Sequence, residues 1–148
     1  MIFIINIIIT LITFFFMEFI AWATHKYIMH GFLWFLHEDH HVVRKENVLQ
    51  KNDMFFLIFA IPSIILLYIG FPDFNSNFFI GLGILLYGAA YFLVHEVIIH
   101  RRIPPPSKTK SRYIKAIRKA HKIHHKNLGK YNGINFGMLI VSRKYFKK

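Results

Sequence analysis

Cysteine is absent from all 148 residues of this chain. Disulfide bridges, thiolate metal sites and iron–sulfur clusters are therefore excluded, and cysteine usage says nothing about the redox compartment. Acidic residues are scarce, because 7 Asp and Glu stand against 19 Lys and Arg, which gives a formal charge of +12. Such a basic chain suits either nucleic acid or an anionic membrane surface as its partner.

Long runs without charge decide between these two partners. Hydrophobic residues make up 55% of the chain, which is too apolar for a soluble domain of this length. Three runs are about long enough to cross ~30 Å of hydrocarbon as helices: residues 2–22, 54–71 and 78–94. A fourth run, residues 134–141, is too short to span and either enters the membrane or lies buried at its interface. We predict an all-α integral membrane protein with three transmembrane helices, or four if this run inserts, in a single domain (residues 1–148) and without a nucleic-acid partner.

Basic residues predict how the spans are oriented. Segment 25–53 holds four of them, the tail from residue 95 holds fifteen, and the turn 72–77 holds none. Because basic loops stay in the cytoplasm, we expect the N-terminus outside and the C-terminus inside. Alternatively, Ala21-Trp22-Ala23 resembles a signal-peptidase site, and cleavage there would leave a chain that begins at Thr24. The lack of a basic n-region and the presence of Glu18 disfavour this alternative.

All ten histidines fall into four clusters. A pair and then a triplet follow the first run, and the same order follows the third: His25 and His30, then His37, His40 and His41; His95 and His100, then His121, His124 and His125. On an α-helix, positions i, i+3 and i+4 share one face within about 100°, which predicts that each triplet converges on a metal. Positions i and i+5 lie about 140° apart. Each pair therefore gives one ligand to each of two metals, or sits where a helix unwinds.

The repeated order predicts that two five-histidine halves meet in a helical, metal-binding cap at the cytoplasmic face. The linker of the second half opens with Pro104-Pro105-Pro106, which favours extended backbone. Ser107 or Ser111 is then expected to cap a helix that runs to about Lys126. The residues of this helix that point toward one face are Ile114, Ile117, His121 and His124/His125.

Ten imidazoles exceed the four ligands of one structural zinc ion and suit two ions. Imidazole binds Zn, Cu, Fe and Ni, so the ligand type leaves the metal open. Carboxylates are too few for the glutamate-rich shell of soluble di-iron bundles. Three acids are candidates for orienting a ligating imidazole: Glu18, Asp39 and Glu96. Because an acid within a span usually has a partner, we expect Glu18, two helical turns before His25, to orient one of the rings.

The four histidine clusters resemble those of the fatty acid hydroxylase superfamily of membrane di-iron enzymes. Further segments resemble the bacterial β-carotene hydroxylases, and the likeness extends from about residue 17 to residue 141. The segments that carry it are MEFIA at 17–21, HKYIMHG at 25–31, HEDHH at 37–41, ND at 52–53, YFLVH at 91–95, AHKIHH at 120–125 and NFG at 135–137.

This resemblance implies hydroxylation of the β-ionone rings of carotenoids, from β-carotene through cryptoxanthin to zeaxanthin. It implies two iron ions held by all ten histidines, O2 as co-substrate, and no catalytic residue beyond the metal centre. It also implies a lipid-soluble carotenoid substrate taken from the bilayer, a ferredoxin-like electron donor, and a location in the bacterial cytoplasmic membrane.

Several alternatives stay open at the level of sequence. A hydroxylase of another lipid, such as a sterol or acyl chain, would carry the same clusters. A membrane metal carrier or store would be expected to hold ligands within its spans, whereas the predicted spans contain no histidine. Phe32, Trp34 and Phe35 either line the approach of an apolar substrate or form an interfacial anchor belt. The basic surface either attracts an acidic electron donor or binds anionic lipid.

Overall fold

The chain is helical wherever its structure is described. A computed structural model describes residues 1–42, 49–102 and 109–147, and this part contains no β-strand. Its α-helices, α1 to α5, are Ile2–Ala23, Trp34–His41, Phe55–Gly70, Ser76–Phe92 and Arg112–His124. α1 continues directly into the π-helical segment Thr24–Phe32, and α4 continues into the π-helical segment Leu93–Ile99. The two 3-10 turns are Lys51–Met54 and Arg143–Phe146. The predicted all-α fold is confirmed over these residues.

Three continuous helices are long and apolar enough to cross a membrane: Ile2–Phe32, Lys51–Gly70 and Ser76–Ile99. Their outward side chains are apolar, as at Ile12 and Ile64, which are 64% and 63% exposed. The three predicted spans are confirmed. However, the first and third helices extend past the apolar runs and carry histidines, which sequence reasoning had placed outside the spans. A helix of 31 residues is roughly 46 Å long against ~30 Å of hydrocarbon, so one end of the first helix projects beyond the hydrocarbon.

α4 lies between α1 and α3 and packs closely against both. The buried core between α1 and α4 consists of Met17, Ala21 and Tyr87. Glycine permits the close approach on both sides: a Cβ added at Gly83 would lie 2.8 Å from the Thr10 oxygen of α1, and one at Gly81 would lie 2.8 Å from the Leu67 nitrogen of α3. Small residues suit such interfaces because helix association in lipid depends on close packing.

α5 begins at the predicted cap. The hydroxyl of Ser111 accepts a hydrogen bond from the amide of Ile114 at 3.4 Å, while Ser107 and the proline-rich linker lie outside the described residues. The helix ends at His124, two residues before the expected end. Its buried face consists of Ala116, Ile117, Ala120, His121 and His124. α5 therefore presents histidines on its buried face, while its opposite face is exposed.

Replacing Gly83 with Leu is expected to destabilise the α1–α4 pair, because its Cβ alone would lie 2.7 Å from the Cβ of Thr13. The overpacking should cost about 1–3 kcal/mol, measured as a lower unfolding temperature in detergent. Gly88→Leu is the matched control on the same helix, since a Cβ there meets no atom within 4 Å. Equal destabilisation of the two variants would contradict this packing.

Candidate metal centre

Both histidine pairs depend on π-helical backbone. His25 and His30 lie in the π-helical continuation of α1, and His95 lies in that of α4, which ends one residue before His100. A π-helix joins the amide of residue i+5 to the carbonyl of residue i, and His100 donates such a bond to His95 at 2.9 Å. The wider turn brings positions i and i+5 onto one face, so each pair presents both imidazoles to one site.

The ten histidines gather into two groups. In the first group, five buried histidines offer nitrogens within 4.8 Å of one another: His25, His30, His37, His41 and His124. In the second group, four histidines do so, of which three are buried: His40, His95, His100 and His121. His125 adjoins the second group, because its Nε2 lies 2.8 Å from Nε2 of His121. Every histidine singled out in the sequence therefore reaches one of the two groups.

This grouping decides between the two alternatives for the pairs and corrects the expectation for the triplets. Both members of a pair serve the same group, so the pairs are not divided between two metals; they lie where the helix widens into a π-helical turn. Each triplet, by contrast, is divided. On an α-helix positions i and i+4 lie about 40° apart, whereas i+3 lies about 60° to the other side of i. The middle histidines, His40 and His124, accordingly reach across to the group of the other half.

The Nε2 atoms in each group have the spacing of ligands around one ion. Nε2 of His37 lies 3.1 Å from that of His25 and 3.2 Å from that of His41, and neighbouring nitrogens of the second group are 2.9 to 3.0 Å apart. Two nitrogens bound at right angles about 2.1 Å from a metal are themselves about 3.0 Å apart. The separations therefore fit a shared ion.

Hydrogen bonds on the outer side of the rings fix which nitrogen carries the proton. In seven histidines, Nδ1 lies 2.5 to 3.0 Å from an oxygen acceptor: His25, His30, His37, His40, His41, His95 and His124. These acceptors require a hydrogen on Nδ1, so the neutral ring keeps a lone pair on Nε2. Lone pairs that face one another cannot form hydrogen bonds and repel unless a cation lies between them. The donor set therefore fits two imidazole-bound metal ions.

The irregular segment after α5 supplies four of these acceptors. The carbonyl oxygens of residues 127, 130, 134 and 136 accept from His41, His30, His124 and His25, in that order. All four histidines belong to the first group. Sequence reasoning missed this role, because a backbone carbonyl leaves no trace in residue type; the NFG segment at 135–137 was the one available signal.

Two amide side chains just before α3 hold the triplet on α2. Oδ1 of Asn52 accepts from His37 at 2.6 Å, and Oε1 of Gln50 accepts from His40 at 3.0 Å. The candidate acid Asp39 contacts the same turn, since its carboxylate accepts from the backbone amides of residues 51 and 52 at 2.6 and 3.4 Å. Asp39 thus acts on His37 through Asn52.

Of the three candidate acids, Glu96 contacts an imidazole directly. Its Oε1 accepts from Nδ1 of His95 at 2.5 Å, and its Oε2 pairs with Nε of Arg102 at 3.0 Å. Arg102 also binds Oδ1 of Asp53 at 2.9 Å, and Oδ2 of Asp53 accepts from the amide of Gln50 at 2.9 Å. One arginine therefore links the acceptors of two histidines in the second group.

Glu18 has different partners from those expected. Its Oε1 accepts from the backbone amides of residues 138, 139 and 140 at 2.9 to 3.0 Å, and its Oε2 accepts from the Tyr87 hydroxyl at 2.7 Å. Seven helical residues separate it from His25 by about 10 Å, which is too far for direct contact. Glu18 therefore anchors the segment that supplies the carbonyl acceptors, instead of orienting a ring itself.

Burial favours the neutral form of the seven imidazoles outside the spans. Burial lowers the pKa of His37 to about 2, of His41 to about 4, and of His100 and His124 to about 3. Low-dielectric surroundings disfavour the imidazolium ion, and neighbouring imidazoles disfavour it further. The same causes lower the pKa values of His40, His121 and His125. Neutral rings are the form that binds metal.

Aromatic side chains border the first group. The ring of Phe136 lies 5.1 to 5.4 Å from three of its imidazoles, and that of Trp34 lies 5.0 to 5.9 Å from three. Phe55 contacts His37 at 6.3 Å. Phe32 and Phe35, by contrast, are 73% and 60% exposed. Trp34 thus forms part of the wall of the site.

Comparison with known proteins agrees with this geometry. The sequence matches the fatty acid hydroxylase family over residues 10–144. The chain belongs to this family. Among the proteins similar to this chain are three bacterial relatives that are named beta-carotene hydroxylase. That of Pantoea ananas is 39% identical over 90% of this chain and 76% of its own length, and that of Pseudescherichia vulneris is 39% identical over 95% and 78%. That of Paracoccus sp. is 33% identical over 90% and 83%. No solved structure matches the chain.

Replacing Arg102 with Gln is expected to make the second histidine group less well ordered, because the ion pairs of Arg102 with Glu96 and Asp53 are lost. Metal affinity should fall roughly tenfold or more, so the purified variant should retain less bound metal per chain than the unsubstituted protein. Elemental analysis measures this. Arg101→Gln removes the same charge from the adjacent exposed position and serves as the control. Full metal content in the Arg102 variant would contradict the linking role.

Proposed function

We propose that this chain is an O2-dependent di-iron monooxygenase that hydroxylates the β-ionone ring of carotenoids. It converts β-carotene through cryptoxanthin to zeaxanthin and takes electrons from a ferredoxin-like donor. It lies in the bacterial cytoplasmic membrane, with the histidine groups and the C-terminus on the cytoplasmic side.

The observation that carries this proposal is the pair of histidine groups at the ends of membrane-length helices. Unprotonated nitrogens face a common point in the first group and at His40 and His95 in the second, and aromatic rings border the first group. When bound, iron would activate O2, so that one oxygen atom enters a C–H bond while two electrons from the donor and two protons convert the other to water. The relatives named beta-carotene hydroxylase support the carotenoid as substrate.

The protein's own groups hold, orient and shield the centre. One ion would be held by His25, His30, His37, His41 and His124, and a second by His40, His95, His100, His121 and His125. Backbone carbonyls and Asn52 fix the rings of the first group, whereas Glu96 and Gln50 fix two rings of the second. The aromatic wall excludes water, which protects an oxidising centre from side reactions.

An apolar groove offers the substrate a way in from the bilayer. It lies between α2 and α3, has a volume of about 440 Å³, and its lining includes Leu33, Leu36, Met54, Phe55, Leu57 and Ile58. Phe55 joins the groove to the first group through its contact with His37. A lipid-soluble ring can therefore approach along the groove without crossing water.

Two other functions are hydroxylation of a different lipid and transport of a metal ion. Hydroxylation of a sterol or an acyl chain is compatible with the family's description. A metal carrier would be expected to bind its ions near mid-membrane, whereas the groups here lie at the ends of Ile2–Phe32 and Ser76–Ile99. Hydroxylation is therefore the better-supported function.

Product analysis in carotene-accumulating cells tests the proposal. Expression of the chain should convert β-carotene to cryptoxanthin and zeaxanthin, and His124→Ala should abolish this conversion and reduce bound iron while the protein stays in the membrane. Leu128→Ala, four residues further along and 59% exposed, is the control. Unchanged β-carotene in the presence of folded, iron-loaded protein would overturn the carotenoid assignment. Hydroxylated sterol or acyl products would then identify the alternative.

Narrowing the groove tests the substrate path. Ile58→Trp places a large ring in the groove and should lower hydroxylation several-fold at unchanged iron content, because the substrate is obstructed. Ile69→Trp is the matched control, since Ile69 lies on the same helix, is 53% exposed and is absent from this groove. Equal activity of the two variants would indicate that substrate enters elsewhere.

A further inference from the structure

α5 carries a ridge of positive charge on its outer face. Four exposed residues form this α5 basic stripe: Arg112, Lys115, Lys119 and Lys122. At 100° per residue they lie within an arc of about 80°. Their spacing of three, four and three residues keeps the side chains in one continuous row along the helix.

The surroundings of the stripe are also basic. Residues 109–147 contain no Asp or Glu, so no acid in that segment neutralises the row. The 3-10 turn Arg143–Phe146 packs beside α5, and Nζ of Lys119 donates to the carbonyl of Lys147 at 3.3 Å. The exposed Arg143 and Lys144 lie on this turn. The result is a positive surface that strongly attracts an acidic partner.

The stripe lies directly behind the metal centre. His121 and His124 project from the opposite face of α5, where they are 3% and 0% exposed. Only the width of one helix, about 10 Å with its side chains, separates the row of charges from the imidazoles. A redox protein bound to the stripe would therefore bring its electrons close to both histidine groups, since His121 belongs to the second group and His124 to the first.

The burial of α5 disfavours a lipid as the occupant. An amphipathic helix binds a bilayer by inserting its apolar face. The apolar face of α5 is already occupied, because Ala116, Ile117 and Ala120 are 0%, 1% and 2% exposed. The polar face alone is available, which suits a protein whose complementary charges dock against it.

We infer that the α5 basic stripe is the docking surface for an acidic one-electron carrier protein that reduces the metal centre through α5. The inference rests on the proposed function, because hydroxylation with O2 consumes two electrons and two protons for each C–H bond and forms one water. A one-electron carrier therefore docks twice in each turnover. Charge complementarity sets its rate of encounter and its orientation.

Binding and turnover of the metal-loaded, full-length protein in lipid nanodiscs test the inference. The probe is an acidic [2Fe–2S] ferredoxin, and the variant is K115E/K119E/K122E. At low salt we expect its Kd for ferredoxin to rise at least about tenfold, and the salt dependence of binding to weaken. Turnover driven by ferredoxin should fall in parallel. Turnover driven by reduced methyl viologen, a small mediator that needs no docking surface, should stay within about twofold of the unsubstituted protein.

A matched control separates the stripe from overall charge. R143E/K144E/K147E reverses the same number of charges at the edge of the positive surface, on and beside the last 3-10 turn, and should weaken ferredoxin binding less than the stripe variant because these charges lie outside the row. Equal weakening in both variants, or no ferredoxin binding by the unsubstituted protein, would overturn the inference. So would a response that follows the anionic-lipid content of the nanodisc instead of the donor, since it would assign the stripe to lipid. Absence of hydroxylation with either reductant would overturn the proposed function, while the binding result would still decide the docking surface.

Discussion

The site depends on the direction in which imidazole protons point. In seven rings, an acceptor outside the cluster takes the Nδ1 hydrogen and so leaves a lone pair on the inner nitrogen. The acceptors come from three distant parts of the chain: the turn before α3, Glu96 at the end of the third span, and the irregular segment after α5. The packing of these elements is therefore the means by which a set of basic side chains becomes a cation site.

The two groups are held by unlike surroundings. Neutral groups, four carbonyls and one amide, accept from the rings of the first group, whereas an ion-paired carboxylate accepts from His95 in the second. A carboxylate makes the imidazole that it contacts a stronger donor to metal. The two histidine groups therefore differ chemically although each consists of the same type of side chain.

The sequence predicted the helices and the histidines well, because both depend on local patterns. Apolar runs located the spans, and the histidine spacing identified every member of the two groups. The sequence could not predict how the ligands divide. Their division depends on π-helical turns at His25–His30 and His95–His100 and on the exchange of His40 and His124, which arise from tertiary packing. The partners of Glu18 were also unpredictable, because they are backbone amides 120 to 122 residues away.

The exchange of His40 and His124 between the halves has a consequence for biosynthesis. A nascent chain that has emerged only as far as α4 lacks His124, and the carbonyls that orient the first group follow later still, up to residue 136. Until translation reaches that point, the first group has neither its full set of rings nor the acceptors that orient them. Its assembly as a cation site therefore follows the synthesis and packing of α5 and of the segment behind it.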